Sequence, residues 1–305
     1  MNLVFMGTPD FAVPTLEKLV EAGHHVSAVF AQPDRPKGRG QQTAMPPVKQ
    51  SALRLGLPVH QPERVRRPEA VEQLRALAPE SIIVVAYGQI IPKPILDIPP
   101  FGIINVHASL LPQYRGAAPI QWAIARGETH TGVTTMRIDE GLDTGDMLLK
   151  WETQIGPEEN AIELADRLAP AGAELLLQTL QDLPRIRPQP QDDTQATYAP
   201  ILKREDGKID WSLTPREILN RVRGFQPWPG CYGFLRGQRF HVWKAATGDL
   251  ALAPGQLRVS NRRLYAGCGY QQSIELKEIQ LEGKKRMPVQ AFLNGFTLTD
   301  REVLA

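Results

Sequence analysis

Cysteine is nearly missing from this 305-residue chain: only Cys231 and Cys268 occur. Two cysteines cannot make a disulfide framework, and neither sits at metal-ligand spacing from other ligands, so two reduced thiols in a cytosolic protein are expected. Long apolar runs are missing too. Leu3-Val4-Phe5-Met6 has the length of a strand and is cut off by Gly7 and Pro9. No signal peptide and no membrane span are expected, which leaves the cytoplasm as the compartment. The first loop, Gly7-Thr8-Pro9, lacks the Gly-x-Gly-x-x-Gly spacing of a dinucleotide site, which argues against a nicotinamide enzyme. The acidic residues Asp139, Glu140, Asp143 and Asp146 lack calcium-loop spacing, so no metal is expected. Internal repeats and low-complexity tracts are absent.

What is present is a globular composition, 42% apolar and 22% charged, enough for a substantial core. The net charge of +2 conceals an uneven distribution. Residues 201–305 carry 17 basic against 10 acidic residues, and residues 1–200 carry 18 against 23. A basic C-terminal part behind an acidic N-terminal part points to a polyanionic partner, although solvated surface alone could produce it.

Residues 1–183 alternate short apolar runs with helical patterns. Leu3–Met6, Val26–Ala31, Ser81–Val85, Ile103–Val106, Thr131–Ile138 and Met147–Trp151 read as strands. Val13–Glu21, Pro47–Leu55, Glu69–Leu77, Ala118–Arg126 and Ala161–Leu180 read as helices. This order predicts a Rossmann-like α/β domain with a mostly parallel sheet. Residues 184–208, rich in proline and polar side chains, predict an extended linker. From 209 to 305 short strand-like runs punctuated by Gly and Asn predict a small β domain, barrel or sandwich.

The chemistry concentrates in Asn105-Val106-His107-Ala108-Ser109-Leu110-Leu111-Pro112, followed by Arg115-Gly116 and then Asp143. Asn105 and His107 are two apart on an extended segment, so both side chains point to one side of it. They close a short buried strand, and in an open parallel sheet the C-terminal strand ends are where ligands bind. Asp143 lies in the turn-rich run Asp139–Asp146, which could fold back to the same strand end. An amide, an imidazole and a carboxylate together can supply a neutral hydrogen-bond donor, a proton carrier and a partner that fixes the imidazole. Singly, a histidine at a strand end or an aspartate in a glycine-rich loop is more often structural. The sequence leaves open whether His107 acts as base or as oxyanion donor.

This pattern resembles that of the folate-dependent formyltransferases, Asn-x-His-x-Ser-Leu-Leu-Pro with a distant Asp in a Gly-Leu-Asp-Thr-Gly-Asp-like loop. Ala108 stands where glycine is expected, a one-methyl departure. The likeness extends to Gly7-Thr8-Pro9-Asp10-Phe11-Ala12, Gln32–Gly40, Val85-Ala86-Tyr87-Gly88, Gly116–Gln121 and Ile209-Asp210-Trp211-Ser212, and so covers nearly the whole chain. Within the family it is similar to the members that use charged tRNA. The resemblance implies transfer of the formyl group of 10-formyltetrahydrofolate to the methionine amino group of initiator tRNA, for translation initiation, by a monomer without a metal.

By the same resemblance Asn105, His107 and Asp143 are catalytic. The folate slot is lined by Ser109, Leu110, Leu111 and Pro112, by Val85, Ala86, Tyr87 and Gly88, by Ile90 and Ile91, and by Ile138, Asp139, Glu140, Gly141 and Leu142. The C-terminal domain becomes an OB-like barrel that binds tRNA. Arg35, Lys37 and Arg39, in a basic glycine-hinged loop, meet the acceptor end, since guanidinium can stack on bases and pair with phosphates. Lys203 and Arg204 are further tRNA contacts; Lys284-Lys285-Arg286 is the weakest candidate. Two other functions fit parts of the sequence. A formyltransferase for a small amine acceptor would share the Asn/His/Asp core but needs neither the basic domain nor the Arg35–Gly40 loop. An RNA-binding protein with an inactive folate domain would not need all three polar residues.

Overall fold

The computed structural model describes residues 1–37, 42–299 and 301–305. The chain divides into two compact units. The first comprises Met1–Pro119, Thr131–Thr153 and Ala165–Pro200; the second comprises Ile120–His130, Gln154–Leu164 and Ile201–Ala305.

The first unit is built on a seven-stranded sheet. Its strands are β1 (Asn2–Gly7), β2 (His25–Phe30), β3 (Val59–His60), β4 (Ser81–Val85), β5 (Ile103–His107), β6 (His130–Arg137) and β7 (Met147–Gln154). They run in the order β7-β6-β5-β4-β1-β2-β3. β1, β2, β3, β4 and β5 pair in parallel, whereas β6 runs antiparallel to β5, so the sheet is mixed rather than parallel throughout. β4 and β5 are buried along their whole length. That burial is why they read as continuous Ile/Val runs instead of alternating. Val4, Met6, Phe30, Ile82, Val84 and Ile103 share one core cluster with Leu74 and Tyr87.

Several helices start where proline supplies a preset φ and lacks a donor the first turn would leave idle. Val13–Glu21, Pro47–Arg54 and Pro68–Ala76 all carry proline at their first two positions. The long helix Ala161–Asp182 continues through Pro170.

Residues 184–200 hold no α-helix or strand longer than two residues, turn once in a short 3-10 helix at Asp193–Gln195, and are hydrogen-bonded along the first unit. Gln189 pairs with Met147, and Tyr198–Ala199 forms a two-residue parallel ladder with Arg115–Gly116.

The second unit carries an antiparallel sheet of β8 (Cys231–Leu235), β9 (Gln238–Thr247), β10 (Leu257–Ser260), β11 (Arg263–Gly267) and β12 (Ser273–Leu281), in the order β8-β9-β12-β11-β10, with Met287–Pro288 added beside β12. The helix Pro215–Gly224 opens with a reciprocal cap. Thr214 Oγ1 accepts from the Glu217 amide, and the Glu217 carboxylate accepts from the Thr214 amide. Gly224 ends that helix against Gln121 and Ala125, where a Cβ would lie 2.7 Å from backbone atoms. At the chain end, Leu304 N donates to Gly255 O and Leu257 N to Glu302 O, while Ala305 and Phe234 exchange two backbone bonds.

Candidate active site

Asn105 and His107 occupy the last turn of pleat on β5 and are buried. Asp143 reaches them from the loop after β6. Asn105 Nδ2 lies 3.4 Å from Asp143 Oδ1, a long hydrogen bond. His107 Nδ1 lies 3.7 Å from Asp143 Oδ2, which is ion-pair distance and too long for a hydrogen bond. His107 Nε2 sits 2.9 Å from the Tyr114 carbonyl oxygen. A carbonyl can only accept, so Nε2 carries a proton and Nδ1 is the ring nitrogen turned to Asp143. The three side chains therefore converge on one strand end.

The loop that brings Asp143 there is shaped from within. Asp139 Oδ1 accepts from the Gly141 amide and from Thr144 Oγ1. Gly145 packs so close to Arg137 that a Cβ would meet its carbonyl oxygen at 2.0 Å. Asp143 itself has φ of 53°, a left-handed conformation that aspartate tolerates better than most residues. Its carboxylate Oδ2 also accepts the Gly116 amide at 2.8 Å.

The Ser109–Pro112 turn is pinned by backbone-directed side chains. Thr134 Oγ1 donates to Ser109 O and accepts from Leu111 N, Ser109 Oγ donates to Gln113 O, and Lys150 Nζ donates to Leu111 O. Burial holds the Lys150 ammonium below the usual lysine range. Leu111 is buried against Met136 and Met147, while Leu110 is half-buried.

The other residues expected at the folate slot differ in burial. Val85, Tyr87 and Ile91 are buried in the core, and burial alone pushes the Tyr87 phenol well above its ordinary range. Ile90 and Leu142 are 88% and 61% exposed, unusual for large aliphatic side chains. Ala86 and Gly88 take left-handed φ values of 46° and 83° around Tyr87, whose carbonyl accepts from Thr8 Oγ1 and Gln32 Nε2. Glu140 pairs with Lys93 on the surface. Ile138 N donates to Ile103 O, which ties the start of the acidic loop to β5.

The basic residues lie apart from this cluster in sequence. Arg35 is exposed in a hairpin of Arg35–Lys37 against Gln42–Ala44 and lines a cleft of about 670 Å³ with Thr8, Asp10, Met45, Gln50 and Gly88. Lys37 contributes backbone pairing to that hairpin. Arg39 lies outside the described residues. Lys203 and Arg204 are exposed at the start of a short turn, where the Lys203 amide donates to Asp206. Among the described residues no group of three or more His, Cys, Asp and Glu could hold a metal, and no helix is long and apolar enough to cross a membrane.

Two features escaped the sequence. In the second unit Arg239 lies over the Tyr232 ring, His241 stacks on Trp243, and Arg286 lies over the Trp243 ring. Burial and the nearby Arg239 and Arg204 hold the His241 imidazole below its ordinary range. In the first unit Arg115 is buried with its guanidinium bonded to Gln191 and Asp193, residues expected only to be linker. Alternating hydrophobicity along β8 and β9 could have revealed the aromatic face; nothing local marks Gln191.

The formyl transferase family model matches residues 1–180 and its C-terminal domain model matches residues 201–297. A methionyl-tRNA formyltransferase of Solibacter usitatus is 59% identical, covering 100% of this chain and 98% of the relative. One from Koribacter versatilis is 57% identical over 97% of this chain and 96% of the relative. Among solved structures, WlaRD, a sugar 3N-formyl transferase crystallised with dTDP and 5-N-formyl-THF, superposes with a TM-score of 0.68 at 17% identity, over 93% of this chain and 99% of that one, a likeness of fold. With full-length identity at this level and both domain models matched, the chain belongs to the methionyl-tRNA formyltransferases of the formyl transferase family.

Proposed function

We propose that Asn105, His107 and Asp143 carry out the transfer of the formyl group from 10-formyltetrahydrofolate to the amino group of methionine on initiator tRNA. The observation behind this reading is their convergence on the C-terminal end of β5. The methionyl nitrogen attacks the formyl carbon, a C–N bond forms, and negative charge develops on the formyl oxygen. Asn105 Nδ2 supplies a neutral donor to that oxygen, aided by its fixed place in the sheet. His107 is held as the Nε2–H tautomer by the Tyr114 carbonyl, which leaves Nδ1 to take the proton from the attacking nitrogen. Asp143 stabilises the imidazolium so formed. When the intermediate collapses, the bond to the folate nitrogen breaks and the proton passes to that nitrogen.

The folate slot follows the Ser109–Pro112 turn, the Val85–Gly88 loop, Ile90-Ile91 and Ile138–Leu142. The unburied aliphatic surface of Ile90 and Leu142 suits a flat pterin, and Val85, Tyr87, Ile91 and Leu111 form its floor rather than its walls. The tRNA acceptor end is placed by Arg35, Lys37 and Arg39. Lys203 and Arg204 add phosphate contacts, supported by the +7 balance of residues 201–305. The division into a catalytic part at 1–183, a connecting segment at 184–208 and a tRNA-binding part at 209–305 belongs to the same proposal. So does closure of the C-terminal sheet into an OB-like barrel. Its support is the chain end, which bonds to β8 through Phe234 and to β10 through Leu257. The enzyme acts as a monomer in the cytoplasm, where charged tRNA and reduced folate meet.

The test is formylation of charged initiator tRNA beside a small amine acceptor such as an amino sugar nucleotide. Turnover on the tRNA alone is expected; preference for the small amine would support the rival acceptor class.

A further inference from the structure

The Gln191 side chain bonds both to the loop that carries Asp143 and to Arg115. Its amide nitrogen donates to the carbonyl oxygens of Asp143 and Gly145, both at 2.8 Å. Its amide oxygen accepts from Arg115 Nε at 2.9 Å. Arg115 is a large side chain that is only 2% exposed, and its guanidinium also donates to Asp193 at 2.7 Å. A buried guanidinium without partners is costly, so it dictates which way the Gln191 amide faces. The oxygen must point to Arg115, and the nitrogen is thereby aimed at the loop. The backbone amide of Arg115 is in turn held by Thr197 O, and its neighbour Gly116 donates to the Asp143 carboxylate. Asp143 is thus gripped twice: by its main-chain carbonyl from Gln191 and by its carboxylate from Gly116.

We propose that Gln191 is a positioning residue for the formyl transfer. Oriented by Arg115, it holds the left-handed Asp143 backbone in the one setting that turns the carboxylate between Asn105 and His107. This rests on the catalytic reading of Asp143 given above and extends it to a residue 48 positions away, in the segment that follows the long helix. Gln191 touches none of the reacting groups. Its loss is expected to slow turnover by letting the carboxylate drift, without weakening the binding of either substrate.

The test uses the full-length enzyme and three variants: Gln191→Glu, Gln191→Met and Asp143→Asn, with the double variant Gln191→Met/Asp143→Asn. Gln191→Glu keeps an acceptor for Arg115 and removes both donors to the loop. We expect kcat to fall by about tenfold or more, with KM for charged tRNA and for 10-formyltetrahydrofolate within about twofold of the parent. The pH profile of kcat is recorded for each variant beside these constants, because a merely structural loss would leave it unchanged. Gln191→Met should be at least as slow, and the double variant no slower than Asp143→Asn, since both changes remove one function. Parental kcat in Gln191→Glu beside an impaired Asp143→Asn would overturn the positioning role. So would losses that multiply in the double variant, or a fall in kcat that tracks a fall in thermal midpoint with an unchanged pH profile. Parental turnover in Asp143→Asn would instead sink the catalytic reading on which the proposal stands.

Discussion

Gly116 donates its backbone amide to the carboxylate of Asp143 across 2.8 Å, so a residue of the Arg115–Gly116 strand fixes the acid of the candidate triad. It can do so only as glycine. Its φ is 117°, and a Cβ there would sit 2.7 Å from the carbonyl oxygen of Ala199. Gly116→Ala should cost on the order of 1–3 kcal/mol of stability. By displacing the amide it should also lower kcat. Denaturant unfolding and steady-state formylation check both effects, and an unchanged unfolding curve would refute the crowding argument.

The Asp143→Asn variant keeps the shape of the site and removes its charge. Turnover is expected to fall by about 10²-fold or more, in the range of lost general acid–base catalysis. The measurement is kcat over a pH series, and a profile like the parent's would make Asp143 a turn residue only.

Much of this site was legible beforehand, for reasons that differ by residue. Asn105 and His107 share a face because a strand repeats every two residues, and the Ile103-Ile104 run before them marks a buried strand. Asp143 was legible only through the glycine-rich pattern around it. The antiparallel direction of β6 was not, because hydrophobic periodicity carries no direction. Gln191 was hidden for a stronger reason. It sits in a polar, proline-rich stretch whose composition is that of a linker, and its role appears only when Arg115, 76 residues earlier, is folded against it. Ile90 and Leu142, expected near folate, are exposed rather than packed, which no local pattern distinguishes from core aliphatics.

The two cysteines supply a check on burial. Burial pushes the Cys231 thiol up to about 12 and the Cys268 thiol up to about 11. A raised thiol pKa keeps the neutral form, so both thiols stay protonated in neutral and mildly alkaline solution. Neither should react with a thiol-specific reagent in the folded enzyme, and both should react on unfolding. Rapid labelling of either one in native conditions would contradict the packing of the second unit.

The proposed closure of the C-terminal sheet depends on the chain end, where Leu304 is 1% exposed and its amide bonds to Gly255. Leu304→Ala should destabilise the protein by about 2–5 kcal/mol. A denaturation midpoint equal to the parent's would show that the chain end does not seal the sheet.

Arg39→Ala should lower kcat/KM for tRNA more than it lowers tRNA affinity. By contrast Lys203→Ala with Arg204→Ala should weaken affinity and reduce its salt dependence, by roughly 0.7–0.9 in the logarithmic slope for each phosphate no longer neutralised. Filter binding over a salt series, run beside formylation kinetics, separates the two. Equal effects on both quantities from every variant would refute the division of roles.

Single-turnover formylation of charged initiator tRNA by the parent, Asn105→Ala and His107→Ala tests the assignment of the chemistry most directly, with tRNA affinity measured in parallel. Loss of one oxyanion donor or of the proton carrier is expected to slow the step by on the order of 10²–10³ with affinity unchanged. Near-parental rates in both variants would contradict it.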